Sequence, residues 1–89
     1  MNNKILLESM ALDLKRVALG AHSHSIKMAE RFLQEVFKRN KQLDRHSLSR
    51  PLIKILTKMP EQLENTNAER LADDALMYST LLFSFSKKM

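Results

Sequence analysis

The chain contains no cysteine and no tryptophan, and its 89 residues include one glycine, two prolines, one tyrosine and four phenylalanines. Without cysteine, neither a disulfide nor a thiolate zinc site can reinforce it, and the redox compartment stays open. That matters because a monomer of this size buries only about 60 to 65% of its unfolded surface. Association with further copies is the reinforcement left. The scarcity of glycine and β-branched residues beside many Leu, Ala, Met, Lys, Glu and Arg favours an all-α class over any sheet. Long apolar runs are missing too. The longest uncharged stretch, Ala75 to Ser86, has twelve residues, well short of the roughly 20 that cross a bilayer. Glu8 and Asp13 fall too early for a secretory apolar region, so the chain is expected to be cytoplasmic.

What is present is helical periodicity. Asn2 or Asn3 caps a first helix over about Lys4 to Leu19, in which Leu7, Met10, Ala11, Leu14, Val17, Ala18 and Ala21 form the core stripe. Its alanines would let a neighbouring helix approach closely. Gly20 to Ser25 reads as a turn, although the heptad spacing of Leu7, Leu14, Ala21 and Met28 also fits one long bent helix. A second helix, about Ser25 to Lys41, buries Ile26, Met28, Ala29, Phe32, Leu33, Val36 and Phe37. Leu43 and Leu48 anchor the polar connection that follows.

Ser47 or Ser49 caps a third helix with Pro51 in its first turn and Leu52, Ile55, Leu56, Met59 and Leu63 inward; Pro60 is expected to bend or end it near Lys58. Thr66 or Asn67 starts the last helix, where Thr66 and Glu69 have capping-box spacing. Ala68, Leu71, Ala75, Tyr78, Ser79, Leu82 and Ser86 share its inner side, and further apolar residues from Leu76 to Phe85 surround most of the rest. A helix apolar on nearly every side is expected at the centre of the bundle. The architecture expected is therefore one domain over residues 1–89, a small bundle of about four antiparallel helices, with one long bent N-terminal helix plus two shorter ones as the alternative.

Two surface patterns stand apart from the core. At about 100° per residue, Ile5, Leu12 and Leu19 form a row of their own, almost opposite the core stripe of the first helix. In a monomer that row faces water; as an oligomer interface it would join two copies. The second pattern is electrostatic. Net charge is +5; Lys38 to Lys58 holds seven basic residues against Asp44 alone, and Glu61 to Asp74 holds five acids against Arg70 alone. Lys27, Arg31, Lys38, Lys41 and Arg45 line one side of the second helix, with Arg50 and Lys54 on the third. Such a stripe suits phosphates or an acidic partner, and equally a solvated face. No exposed aromatic residues interleave with it to stack bases.

Chemical motifs are few. There is no glycine-flanked serine elbow and no phosphate-cradling glycine loop. His22 and His24 lack carboxylates at ligand spacing, so no metal site or cofactor is expected. Asp73 and Asp74 point about 100° apart on a helix and balance its dipole. No catalytic residue is assigned on these grounds. Arg39-Asn40-Lys41-Gln42-Leu43-Asp44-Arg45-His46 resembles the arginine, polar residue and histidine spacing of HEPN-domain ribonucleases, helical bundles that dimerise to bring such motifs together. The resemblance covers eight residues and implies Arg39 and His46 as a catalytic pair.

The functional expectation is a non-enzymatic, homo-oligomeric interaction module, most simply a homodimer, that recruits another macromolecule through its opposed charged surfaces. A nucleic-acid-binding protein using the basic stripe is the alternative, and a HEPN-like ribonuclease the third.

Overall fold

The computed structural model describes residues 2–89. It contains helices α1 (Asn3–His22), α2 (Ile26–Gln42), α3 (Arg50–Asn65) and α4 (Ala68–Lys87), with a short 3-10 turn at Arg45–Ser47. No strand occurs among the described residues. The protein is a small all-α bundle, and the alternative with one long N-terminal rod is not adopted.

The chain turns because α1 ends in a Schellman motif. Ser25 N donates to Gly20 O at 2.7 Å and His24 N to Ala21 O at 3.4 Å, which closes the last carbonyls of the helix. His24 occupies the left-handed position with φ 61°, where glycine is the usual occupant. Gly20 is therefore not the helix stop. It lies inside α1, and its bareness serves packing. A Cβ there would stand 2.9 Å from Ala29 N and 3.1 Å from Ser25 O, so the hydrogen atom lets the start of α2 close onto α1.

At the other end Asn2 is the cap, its side chain accepting from Ile5 N at 2.8 Å. Asn3 instead exchanges two hydrogen bonds with the backbone of Asp44, at 2.8 and 2.9 Å. That pair ties the beginning of α1 to the connection after α2, whose Leu43 and Leu48 are buried.

Helix α3 runs five residues past Pro60 to Asn65 and does not stop near Lys58. Proline has no N–H to give the carbonyl four residues back, which here is Leu56 O. That carbonyl is met by a donor from another helix: Asn40 Nδ2, on α2, reaches it at 3.0 Å. Asn40 is buried and held in turn by Arg45, which donates to its Oδ1 at 2.8 Å and to its backbone oxygen at 3.0 Å. The helix continues because every group the proline orphans has a partner.

The centre of the bundle is α1, not α4. Leu6, Leu7, Met10, Ala11, Leu14 and Val17 are essentially inaccessible, and α1 packs along both α2 and α4 while α3 rests on α4. Ala11 and Ala18 provide the close approach expected of them. Against this stripe lies Ser79, whose Oγ donates to Ala11 O at 2.7 Å. Helix α4 buries Ala75, Tyr78, Ser79, Leu82 and Ser86 but leaves Leu76 at 48% and Met77 at 45% exposure. Its uncharged run is one inner face plus an apolar outer flank. Asn67, not Thr66, caps it, accepting from Arg70 N at 2.9 Å.

Candidate functional site

The row on α1 is where the periodicity placed it, on the outside of the central helix. Ile5 and Leu12 are each 46% exposed and Leu19 59%, values that decide against any part in the core. Helix α4 continues this apolar surface. Leu19 and Leu76 wall a shallow groove floored by Ala18 and Ala72, with Lys15, His22 and Asp73 on its rim. Ile26, expected inside, is 45% exposed because it is the first residue of α2 and projects at the bundle end. It borders a second groove beside Ala21, His24 and Ala72.

Charges flank the row on both sides. Lys15 reaches toward α4, its Nζ lying 5.1 Å from the centre of the Phe83 ring. Arg16 reaches toward α2, its guanidinium 5.4 Å from the Phe32 ring, and donates to Asp13 Oδ1 at 2.9 Å. Such cation–ring contacts hold the aliphatic stems against the surface and leave the apolar row between them uncovered.

On α2, Lys27, Arg31, Lys38 and Lys41 are exposed and none is in an ion pair among the described residues. Arg50 and Lys54, also exposed, lie on α3 on the side away from the buried Leu52 and Leu56. Arg45 departs from the pattern. Its guanidinium is spent on Asn40, so it closes the end of α2 rather than extending the free stripe.

Arg39 is similarly engaged. It donates to the buried Asp13 of α1, with Glu35 Oε2 at 3.6 Å, and so clamps α2 to the central helix. His46 stands exposed on the 3-10 turn, its backbone N donating to Asp44 Oδ1 at 3.1 Å. No hydrogen bond or ion pair joins Arg39 to His46 among the described residues.

A polar cleft opens where α3 meets α4, lined in part by Lys58, Gln62, Thr66, Arg70 and Asp74. The Tyr78 hydroxyl is paired with Gln62 Oε1 at 2.5 Å, and Thr66 Oγ1 donates to Asp74 Oδ2 at 2.9 Å. Burial pushes the Tyr78 phenol up from its ordinary value, and the nearby Asp74 carboxylate adds to the rise. Every buried polar side-chain atom among the described residues has a hydrogen-bond partner. Among those residues no three His, Cys, Asp or Glu side chains gather as a metal site would require, and no helix is long and apolar enough to cross a membrane.

Asp13 and Asn40 carry polar junctions that helical periodicity does not pick out. Asp13 sits at the edge of the core stripe and reads as a surface acid. Pro60 is the one signal that pointed to Asn40, since a proline inside a helix requires a foreign donor for the carbonyl four residues earlier. No family model, no curated protein and no solved structure matches this chain.

Proposed function

We propose that this protein is a non-enzymatic helical interaction module that works as a homodimer joined through the outer face of α1. One observation carries the reading. Ile5, Leu12 and Leu19 are 46 to 59% exposed, in line on the helix that is otherwise the most buried in the molecule, and Leu76 of α4 extends their surface. Single exposed leucines are ordinary, whereas an aligned and continuous apolar face marks an interface. Standing outside the core, the row is dispensable for folding of one copy and available for joining two.

The test follows from that separation. Leu12→Glu with Leu19→Glu should leave helicity by circular dichroism unchanged and reduce the mass by light scattering to that of one chain. A variant that keeps the dimer mass rejects the interface.

A second reading rests on Lys27, Arg31, Lys38 and Lys41, which are exposed and free of carboxylates. These four suit the phosphates of a nucleic acid, bound without regard to sequence. Affinity for a mixed-sequence oligonucleotide should then fall steeply with salt, by about two powers of ten over a fourfold rise if the four engage and about three if Arg50 and Lys54 join them. No binding at low salt dismisses this reading.

A further inference from the structure

We infer that the second copy docks antiparallel on α1, about a twofold axis passing beside Leu12, with Glu8 of each copy beside Lys15 of the other. This inference rests on the homodimer reading and adds its register.

Along a helix, Ile5 and Leu19 lie seven residues either side of Leu12, about 10 Å in each direction at a rise of ~1.5 Å per residue. An antiparallel approach centred on Leu12 therefore sets Ile5 of one copy level with Leu19 of the other, and Leu12 against Leu12. Glu8 lies four residues before Leu12 and Lys15 three after it. At about 100° per residue both fall on the flank of the row that faces α4. Lys15 is seen there, over the Phe83 ring.

A twofold axis perpendicular to the helix keeps each flank on its own side and reverses the direction along the helix. Glu8 of one copy thus comes beside Lys15 of the other, twice over. On the opposite flank Ser9 comes beside Arg16, a neutral match. Parallel association about an axis along the helix exchanges the flanks instead, setting Glu8 beside Ser9 and Lys15 beside Arg16, which pairs no opposite charges and brings two cations together. The order of signs along α1 thus selects the antiparallel arrangement.

Within the chain, Glu8 and Lys15 have no opposite charge in an ion pair among the described residues. Their partners are left for another molecule to supply. The seam from Ile5 to Leu19 is only about 21 Å long. The groove between Leu19 and Leu76 must contribute to bring the buried area toward the roughly 1,000 Å² of a specific interface. The dimer is accordingly a reversible one, forming over micromolar concentrations.

The absence of native cysteine allows a clean test by disulfide trapping. Leu12→Cys alone should give a covalent dimer under mild oxidation. Ile5→Cys and Leu19→Cys should each stay largely uncrosslinked alone and give a mixed dimer when combined. In parallel, Glu8→Lys should raise the dissociation constant roughly fivefold or more, and adding Lys15→Glu to the same chain should restore it. A dimer by light scattering in which Ile5→Cys crosslinks to itself, or in which the double charge exchange fails to restore binding, overturns the register and leaves the homodimer standing. A mass of one chain at all concentrations overturns both.

Discussion

Helices α1 and α4 have 20 residues each, and their apolar surface is deployed in opposite ways. Each carries five Asp, Glu, Lys or Arg residues, but only α1, the one at the centre, has them in its middle. Helix α1 carries Asp13, Lys15 and Arg16 in its middle, yet buries nine residues from Leu6 to Gly20. Helix α4 has twelve consecutive uncharged residues, yet buries five. The difference teaches that mean apolarity does not place a helix in a bundle. What places α1 at the centre is an arc of small and large apolar residues wide enough to meet helices on two sides. Ala11 and Ala18 admit α4, and Gly20 admits α2. The surplus apolar surface of α4 ends beside the exposed row of α1, and together they make the face assigned to a second copy.

The comparison breaks most visibly with matched leucines. Leu14→Ala, at 0% exposure on α1, should cost about 2 to 5 kcal/mol of stability in urea unfolding. Leu76→Ala, on the outer flank of α4, should stay within about 0.5 kcal/mol at concentrations where the protein is monomeric. Equal losses at the two sites would mean that the outer flank is packed.

A smaller effect separates the inner junctions from the outer face. Replacing Asn40 with Leu leaves Leu56 O without a donor and should cost about 1 to 3 kcal/mol. Pro60→Ala gives that carbonyl its own helical partner. The Asn40→Leu penalty should therefore shrink in the Pro60→Ala background, with a coupling of about 1 kcal/mol by double-mutant cycle. Additive losses would show that Asn40 acts through packing alone.

The smallest effect is a pH dependence. Tyr78 is buried beside Asp74, so its folded value lies above the ordinary 10.0. The folded state then holds its phenolic proton after the unfolded chain has lost it. Stability from this group is fully present below about pH 10 and is lost as pH rises through the folded value. Tyr78 is the one tyrosine in the chain, so ultraviolet titration reads it without overlap, and Tyr78→Phe should remove the alkaline decline. A Tyr78 titrating at its ordinary value contradicts the placement.

Much of the bundle was legible from spacing. The core stripes of α1 and α3, a cap at Asn2 or Asn3, the anchors Leu43 and Leu48, and the exposure of Ile5, Leu12 and Leu19 all follow from periodicity and cap chemistry. The order of packing did not, because α4 shows apolar residues on most of its circumference and periodicity cannot say which of them go uncovered. The extent of α3 was misread for a specific reason. Pro60 stops a helix unless a donor outside that helix serves Leu56 O, and the Asn40 that serves it lies 16 residues earlier. Asp13 and Arg39 are likewise ordinary surface charges until α1 and α2 are brought together. Long-range polar pairing of this kind has no local signature; Arg45, by contrast, is held by Asn40 only five residues away.

The central claim is that the outer row of α1 joins two copies of this chain. Sedimentation equilibrium of the unaltered protein over a range of micromolar concentrations tests it most directly. The average mass should rise with concentration from that of one chain toward that of two, and a mass fixed at one chain throughout would contradict it.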